Sequence, residues 1–392
     1  MNSISSIEYP WKQVKWFTTP VPANPTLYKS QWEGWKQDEH DELTNYKNRI
    51  DELEAKGVWE RRKKIVNPFE LVYTQEDQNL PICLAKAKPL SRSYFKMVEI
   101  LKMSDFFKVY TRKVRSAHAC EGPGGFIQAI AELCEQERTP LLSSLAMTLR
   151  PTHSYIPGWR RAVPFLQKHK QVKIVYGVDN TGDIYNLENQ DSFVENLDEH
   201  EVVQIFTADG GFDYHNNYTD QEQTTFRLIL ASFVLGLRTI EIGGYIVIKM
   251  FDIFGQPTQE LLYLVSTLFR DWTLYKPAMS RPCNSERYFI GRGFKGYPVE
   301  YQKVFNSLQR DLGTHSSADL TTFVGEPLPE SFLEKIRKFQ QIGQTLQIKT
   351  ISEALALTEE SDPHIFWRES YYKAEDWCKE FKVPYRNILI KR

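Results

Sequence analysis

Residues 116–126 read Ser-Ala-His-Ala-Cys-Glu-Gly-Pro-Gly-Gly-Phe and carry the clearest strand-turn-helix signal in the chain. A short apolar run over 114–120 leads into an acidic residue and a glycine-rich turn, and an apolar pattern at helical spacing follows over 126–133. In a doubly wound sheet such a corner lies at the carboxyl edge of a strand, where ligands bind. Glycines allow a sharp turn and a close approach of the backbone to a ligand, and the first N–H groups of a helix have no partner within it.

The corner alone does not identify a ligand, because glycine-rich corners between strand and helix also occur as plain turns. It differs from the dinucleotide fingerprint G-x-G-x-x-G, which argues against a dinucleotide-dependent dehydrogenase, and it lacks the Lys-Ser/Thr of a P-loop. Glu121 is a candidate acceptor for hydrogen bonds from an amine or a ribose. The meaning of the corner therefore depends on the residues around it.

From residue 114 to about 295 the sequence alternates between strand and helix patterns. Strands are predicted at 114–120, 172–178, 203–208, 245–250, 272–277 and 288–292. Helices are predicted at 126–134, 219–241 and 259–269. Several of the strands are near-continuous apolar runs, which are typical of parallel strands covered on both faces. The alternation predicts an α/β, doubly wound core, and because the last two strands follow each other closely, one of them is expected to be antiparallel.

Helical additions are predicted at both ends of this core. Residues 1–85 form a polar, tryptophan-rich and then helical extension, 86–297 form the α/β domain, and 298–392 form a helical region of unknown role. The basic run Arg61-Arg62-Lys63-Lys64 closes the charged part of the N-terminal extension. Such a run is typical of a solvated surface, but it is kept as a candidate because it comes before the part of the sequence that carries the candidate catalytic residues.

Composition narrows the class of protein. A chain of 392 residues with 41% hydrophobic and 25% charged residues is typical of a soluble globular protein. The net charge of −1 excludes a generic nucleic-acid coat, so that any nucleic-acid contact must be a local patch. Five scattered cysteines without a C-x-x-C pair predict neither a zinc site nor a disulfide framework. With no membrane-length apolar run and no signal-peptide core, we expect an intracellular protein, cytoplasmic or nuclear, that is neither secreted nor bound to a membrane.

Four charged residues stand at the ends of predicted elements around the glycine-rich corner. Asp209 and Lys249 each end an apolar strand, Glu286 comes just before the last strand, and Lys96 lies on the helix ahead of the corner. Ser91 or Ser93 is a candidate cap for that helix. Because the carboxyl ends of parallel strands share one edge of a sheet, Asp209, Lys249 and the corner are expected to converge there.

Lys249 has two interpretations. A lysine at the end of an apolar strand is costly to bury unless it is paired, and a salt bridge to Asp209 or Glu286 would satisfy it. The alternative is a general base, although a free lysine has a pKa of about 10.4. Burial and a second cation such as Lys96 would lower the pKa of Lys249, whereas the two carboxylates would orient it and oppose that shift. Spacing alone leaves both interpretations open.

The set Lys96, Asp209, Lys249 and Glu286 resembles the K-D-K-E tetrad of the FtsJ-like RNA 2′-O-ribose methyltransferases. Ser-Arg-Ser-Tyr-Phe-Lys over 91–96 is similar to the family's S-R-x-x-x-K. Cys-Glu-Gly-Pro-Gly-Gly-Phe over 120–126 is similar to its loop for S-adenosyl-L-methionine (AdoMet), C-x-G-P-G-G-F.

Further motifs resemble one branch of that family, the eukaryotic and large-DNA-virus mRNA cap-1 2′-O-methyltransferases. In chain order they are Asn67-Pro-Phe-Glu-Leu-Val72, Ala146-Met-Thr-Leu-Arg150, Gly177-Val-Asp-Asn-Thr-Gly-Asp-Ile184, Ala208-Asp-Gly-Gly-Phe212, Lys249-Met-Phe-Asp-Ile-Phe254 and Lys276-Pro-Ala-Met-Ser-Arg-Pro-Cys-Asn-Ser-Glu-Arg-Tyr288. The resemblance covers about residues 60–297 and does not extend clearly to 1–55 or 300–392.

The resemblance implies a Rossmann-like, AdoMet-dependent enzyme that needs no metal and methylates the ribose 2′-hydroxyl of the first transcribed nucleotide. Lys249 would be the general base, Asp209 and Lys96 would set its charge and hold the ribose, and Glu286 would anchor the lysines. The implied cofactor-binding residues are Ser91, Cys120, Glu121, Gly122, Pro123, Gly124, Gly125, Phe126, Asp183 and Ile184, with Asp179 as an alternative acidic contact. The implied substrate-binding residues are Lys63, Lys64, Arg281 and Asn284.

The implied partners are the capped 5′ end of mRNA and, beyond it, other capping enzymes or RNA polymerase. The extra modules of large cellular cap enzymes are not visible here, so a compact catalytic unit of viral type is expected. The sequence does not locate an aromatic pair for the cap. The tryptophans of 11–59 are candidates, although tryptophans at this spacing are also typical of a core.

Two other functions stay open. The same chemistry acts on rRNA or tRNA, or on the second cap nucleotide, in related enzymes, and the 208–212, 249–254 and 276–288 motifs favour the cap branch. An inactive, RNA-binding scaffold of a capping complex is the alternative from another class. Such relatives usually lose a tetrad residue or the glycine loop, and this chain keeps both.

Overall fold

The computed structural model describes residues 9–21, 27–74, 83–153, 156–197, 202–211, 220–358 and 363–387. Across these ranges the strands are β1 (Leu27–Gln31), β2 (Val114–Ala119), β3 (Leu141–Met147), β4 (Val172–Val175), β5 (Val203–Ala208), β6 (Ile240–Met250), β7 (Phe269–Tyr275), β8 (Arg287–Phe294) and β9 (Thr322–Val324). The α-helices are α1 (Asp41–Asn48), α2 (Ile50–Ala55), α3 (Trp59–Ile65), α4 (Ser93–Met103), α5 (Phe106–Val109), α6 (Gly125–Gln136), α7 (Val163–Lys168), α8 (Leu187–Glu195), α9 (Gln221–Thr239), α10 (Gln256–Thr267), α11 (Val299–Asp311), α12 (Glu330–Ala356) and α13 (Pro363–Glu380). Short 3-10 turns lie at Pro10–Lys12, Glu70–Val72, Trp159–Ala162 and Ser317–Asp319.

Seven strands form one sheet in the order β4-β3-β2-β5-β6-β8-β7. Strand β8 runs antiparallel to both of its neighbours, and the other adjacent pairs are parallel. The predicted α/β doubly wound core and its antiparallel strand are therefore confirmed. The strand order reverses between β2 and β5, and ligands bind at such a switch point. The glycine-rich corner follows β2 and Asp209 follows β5, so the two flank this point.

Strand β3 and helices α7 and α8, which lie between β2 and β5 in the chain, were not predicted. Strand β3 contains a pair of serines that breaks its apolar run, and Ser144 accepts a hydrogen bond at 2.9 Å from Ser116 of the neighbouring strand. Helix α8 is short and mostly polar. Strand β4 ends at Val175, earlier than predicted, because Gly177 beyond it has a φ of +74°. Strand β6 begins at Ile240, directly after α9.

Both ends of the chain pack against the sheet domain. Strands β1 and β9 pair antiparallel and so connect the N-terminal segment to the C-terminal one. Helix α12 contacts α1, α2 and α3 of the N-terminal segment and α10 of the sheet domain. The tryptophans of 11–59 pack against the hydrophobic core, with Trp59 buried and the others partly buried. The domain boundaries at 85/86 and 297/298 stay predictions. No helix in the described ranges has the length and apolarity needed to cross a membrane.

Candidate active site

The four charged residues predicted to form a tetrad lie together at the carboxyl edge of the sheet. Lys96 Nζ of α4 is 2.6 Å from Glu286 Oε1. Lys249 Nζ, near the end of β6, is 3.6 Å from Asp209 Oδ1 and 3.2 Å from the carbonyl oxygen of Asp209. The second oxygen of Glu286 lies 3.9 Å from Lys249 Nζ. Glu286 thus lies between the two lysines.

Tyr288 is a member of this cluster that the sequence reasoning did not single out. Its hydroxyl donates a hydrogen bond to Asp209 Oδ1 at 2.7 Å, and it lies 3.4 Å from Lys96 Nζ. The ring is fully buried and packs against Phe126, with ring centroids 5.7 Å apart. Burial and the nearby carboxylates hold the pKa of the phenol well above its usual range. Tyr288 therefore stays protonated and connects Asp209 to Lys96.

The charges of the tetrad stabilise one another. Burial alone would lower the pKa of Lys249, but the carboxylates of Asp209 and Glu286 prevail and raise it. Burial likewise opposes ionisation of Glu286, yet Lys96 and Lys249 hold its pKa far below the usual range. Lys249 is therefore an ammonium and Glu286 a carboxylate at neutral pH. The salt-bridge interpretation of Lys249 describes this state.

The glycines of the loop are required by the protein that surrounds it. A Cβ at Gly122 would overlap the carbonyl of Pro157, and a Cβ at Gly125 would overlap the side-chain hydroxyls at the start of α4. Gly124, at the start of α6, has a φ of +102°, and the ring of Trp159 lies 3.1 Å from where its Cβ would be. At Gly122 and Gly125 a side chain would therefore collide with the loop's own supports, and the close approach of these glycines to a ligand stays a prediction.

The other predicted residues of the loop divide between its surface and its base. Cys120, Gly122 and Pro123 are partly exposed at the sheet edge, whereas the ring of Phe126 is buried. The Glu121 carboxylate points into the interior, where it accepts a hydrogen bond from the Thr207 hydroxyl and its other oxygen lies 3.2 Å from His118 Nδ1.

A buried polar chain extends from Glu121 beneath the loop. His118 Nδ1 lies 2.7 Å from the Thr207 hydroxyl, and His118 Nε2 lies 2.8 Å from the Ser116 hydroxyl. Ser116 in turn bonds to Ser144. Glu121 therefore connects the glycine loop to strands β2, β3 and β5, and a contact of its carboxylate with ribose stays a prediction.

The loop over 177–184 is built by its own polar side chains. Asp179 accepts bonds from the backbone N–H of Thr181 at 2.9 Å, from the amide of Asn186 at 2.9 Å and from the amide of Asn189 at 2.9 Å. A bond from the Thr181 hydroxyl at 2.7 Å, and then these bonds, lower the pKa of Asp179. Asp183 Oδ1 accepts from the backbone N–H of Tyr185 at 2.8 Å. Both carboxylates thus accept bonds within the loop, and which of the two contacts a cofactor stays a prediction.

This loop lies beside the 146–150 motif and the glycine loop. The backbone N–H of Arg150 donates to the carbonyl of Thr181 at 2.7 Å. Ile184 is buried. Burial, then Glu121 and Asp183, raise the pKa of the Cys120 thiol to about 12, and Lys249 acts in the opposite direction. Cys120 thus lies within electrostatic reach of both Asp183 and Lys249, so the two loops and the tetrad share one edge.

The predicted substrate residues have partners within the protein. Arg281 donates to Glu70 from Nη2 at 2.9 Å and from Nε at 3.1 Å. The side-chain oxygen of Asn284 lies 2.8 Å from Lys276 Nζ. Lys63 pairs with Glu60 on α3, and Lys64 lies next to it on the same helix. Their contacts with RNA stay predictions.

Glu70 is a second residue that the sequence reasoning quoted only as part of a motif. Its side chain is fully buried and lies 3.3 Å from Arg92 as well as against Arg281, while the Asn67 amide donates to it at 2.6 Å. Glu70 thereby joins the 67–72, 91–96 and 276–288 motifs.

The residues present fit AdoMet as the group bound at this edge. A loop with partly exposed backbone leads into the N-terminus of α6, the Asp183 loop adjoins it, and a cluster of two lysines and two carboxylates lies next to both. The sheet order, with one antiparallel strand, and this edge define a methyltransferase of the Rossmann-like class.

Within that class, residues 89–294 match the FtsJ-like methyltransferase family, and the chain belongs to it. The predicted family, its Rossmann-like fold and AdoMet as its methyl donor are therefore confirmed. Phe212, the last residue of the 208–212 motif, lies outside the described residues.

Curated relatives share the name cap-specific mRNA (nucleoside-2′-O-)-methyltransferase. The methyltransferase 1 of this name from Trypanosoma cruzi is 28% identical over 271 residues, which cover 66% of this chain and 73% of that protein. The methyltransferase 2 of this name from Danio rerio is 27% identical over 361 residues, which cover 88% of this chain and 46% of that protein. The methyltransferase 1 from Xenopus laevis is 25% identical over 393 residues, which cover 90% of this chain and 44% of that protein. This chain therefore spans less than half the length of these two vertebrate relatives.

Proposed function

We propose that this protein transfers the methyl group of AdoMet to the ribose 2′-hydroxyl of the first transcribed nucleotide of capped mRNA. The observation that carries the proposal is the assembled tetrad, in which Lys249 Nζ lies against Asp209 and Glu286 at the sheet edge that also bears the glycine loop. The relatives with cap-specific names support the choice of capped mRNA over other RNA.

When bound, AdoMet supplies an activated methyl group and a positive charge. The chain's own residues align the hydroxyl with it, and alignment accounts for much of the rate of such a displacement. Lys249 accepts the hydroxyl proton only as a neutral amine. Because the neighbouring carboxylates raise its pKa, it must first lose a proton. In the complete complex a further positive charge and the exclusion of water both lower the pKa of a lysine.

The remaining tetrad members hold Lys249 in place for this step. Asp209 and Glu286 fix its Nζ, and Lys96 balances the charge of Glu286 at 2.6 Å. Tyr288 fixes Asp209 by its hydrogen bond of 2.7 Å. This arrangement leaves the lysine oriented whether or not it carries its proton.

The capped RNA would approach along the side of the site formed by α3 and the 276–288 loop. Lys63 and Lys64 would meet the triphosphate or the RNA backbone, and Arg281 and Asn284 the ribose or a phosphate. The protein would act where mRNA is capped, in the nucleus or the cytoplasm, beside other capping enzymes or RNA polymerase.

The test is methyl transfer from labelled AdoMet to a short RNA, capped or uncapped. The wild type is compared with Lys249→Ala and with Lys102→Ala, a control that removes another partly buried lysine outside the site. We expect only capped RNA to be labelled, by the wild type and the control, with the label mapped to the first nucleotide by nuclease digestion. Equal labelling of uncapped, ribosomal or transfer RNA would refute the cap assignment. AdoMet binding without any labelled RNA would favour a scaffold, and substantial activity of Lys249→Ala would refute the general base.

A further inference from the structure

Lys276, the first residue of the 276–288 motif, has no part in the chemistry proposed above. It directly follows β7, and its side chain is only partly exposed. Its Nζ lies 2.7 Å from the carbonyl oxygen of Asn284, 2.8 Å from Asn284 Oδ1 and 2.9 Å from the carbonyl oxygen of Glu286. The Ser280 hydroxyl is 3.3 Å away. Because an ammonium donates three hydrogen bonds, these acceptors use its full capacity.

The contacts of Lys276 close the loop over 280–286 on itself. Ser280 Oγ lies 3.2 Å from Asn284 Oδ1, so that the serine and the lysine bind the same amide. The two backbone carbonyls that the lysine binds belong to the residue expected to contact substrate, Asn284, and to the tetrad acid, Glu286. One side chain therefore fixes the backbone of both residues.

The position of the Glu286 carboxylate matters more than that of an ordinary surface acid. Its two oxygens lie 2.6 Å from Lys96 Nζ and 3.9 Å from Lys249 Nζ. A loop that moved by about 1 Å would change both distances, and misplacement of this size costs about 100-fold in rate.

We propose that Lys276 is a positioning residue, which folds residues 280–286 so that Asn284 and the Glu286 carboxylate face the methyl-transfer site. The inference deepens the proposed function and rests on it for its kinetic part. Its structural part, the order of the 280–286 loop, stands without it.

Lys276 anchors the loop through its hydrogen bonds more than through its positive charge. Burial is the main cause that lowers its pKa to about 7; Arg287 and Lys96 act in the same direction, and Glu286 and Cys283 oppose it. A neutral amine still donates two hydrogen bonds, so the loop keeps most of its anchor when Lys276 loses its proton.

The structural test compares hydrogen exchange in Lys276→Met with that of the wild type and of Lys102→Met. Lys102 is a matched control because its Nζ also donates to a backbone carbonyl, that of Phe381 at 2.6 Å, but outside the site. We expect faster exchange in peptides spanning 279–287 for Lys276→Met alone. If Lys276→Met exchanged in that segment at the same rate as the wild type, the proposal would be overturned, independently of the methylation activity on RNA.

The kinetic test uses AdoMet and a capped RNA. We expect kcat to fall about 100-fold in Lys276→Met, with the Kd for AdoMet within about twofold of the wild type, and we expect Lys276→Arg to recover most of the loss. Because a displaced Glu286 no longer raises the pKa of Lys249, the acid limb of the pH–rate profile should move to lower pH. A loss of kcat with an unmoved limb and no recovery by arginine would reduce Lys276 to a structural role and overturn the proposal.

Two further results separate the inference from the proposed function. If the wild type methylates no RNA, the proposed function fails, and the exchange experiment still decides whether Lys276 orders the loop. If Lys276→Met does not fold, Lys276→Gln, which keeps two N–H donors on a shorter side chain, takes its place in both measurements, with a smaller change expected in the same direction.

Discussion

Replacing Glu70 by glutamine tests the charge cluster that joins three of the sequence motifs. The Glu70 carboxylate is fully buried and lies against Arg281 at 2.9 Å and Arg92 at 3.3 Å. In Glu70→Gln the shape of the side chain is kept while both guanidinium groups lose their counter-charge. Breaking a buried pair from one side leaves an uncompensated charge in the interior, which is strongly destabilising.

The magnitude follows from the effect of the arginines on Glu70. Burial opposes ionisation, yet Arg92 and Arg281 lower the pKa of Glu70 from 4.5 to about 2. A tenfold change in proton affinity corresponds to about 1.4 kcal/mol, so the charged form contributes roughly 3 kcal/mol to the free energy of unfolding at pH 7. For 392 residues at about 2.1 cal/mol/K per residue, that loss lowers Tm by roughly 4 °C.

The assay is denaturant unfolding of the wild type, Glu70→Gln and the exposed control Glu52→Gln on α2. The stability from a carboxylate with a lowered pKa is present above pH 4.5 and is lost as the pH falls through about 2. The difference between wild type and Glu70→Gln should therefore shrink to roughly half its neutral value at pH 3. A difference within about 0.5 kcal/mol at pH 7, where exposed substitutions fall, would refute the assignment of Glu70 as an essential counter-charge.

Three further predictions concern the site and its surroundings. Glu286→Gln removes a charge that raises the pKa of Lys249, so kcat should fall while the acid limb of its pH–rate profile moves to lower pH; an unmoved limb would contradict the coupling. Gly124→Val forces a β-branched residue to a φ of +102° against Trp159, and calorimetry should show loss of AdoMet binding, whereas a wild-type Kd would mean that the loop is misassigned. Burial raises the pKa of Glu99 from 4.5 to about 7, so stability from this group is present below pH 4.5 and is lost as the pH rises through about 7. Relative to Glu99→Gln, the wild type should lose roughly 3 kcal/mol of unfolding free energy between pH 4.5 and 8. If the unfolding free energies of the two proteins changed in parallel with pH, the raised pKa of Glu99 would be refuted.

The site was predictable from the sequence where it depends on chain topology. Asp209 and Lys249 each end an apolar strand, and two parallel strands that are neighbours bring their carboxyl ends to one edge whatever the side chains in between. Lys249 Nζ accordingly lies 3.6 Å from Asp209 Oδ1. The alternation of strands and helices, which is equally local, gave the class of the core.

Residues that act through distant partners were not predictable in this way. Glu70 precedes Arg281 by 211 positions, and nothing in the spacing says that the two side chains meet in the interior. His118 and Ser116 lie in an apolar run that predicts a plain buried strand, and only the register of β2 with β5 shows that His118 lies opposite Thr207. Tyr288 looks like a core aromatic until its hydroxyl is found 2.7 Å from Asp209.

The motifs also show that tetrad residues and supporting side chains lie close together along the same strand ends. Three residues after Lys249, Asp252 is buried and paired with Lys47 of α1 at 2.5 Å. Directly after Glu286, the buried Arg287 packs on α12, where a Cβ at Gly343 would come within 2.6 Å of its guanidinium. Lys249 and Glu286 therefore each have a near neighbour that contacts a helix from one of the terminal additions. Because unpaired charges are costly to bury, a boundary drawn at 85/86 or 297/298 would separate Asp252 or Arg287 from its support. The terminal helices thus belong to the structure that holds the tetrad in place.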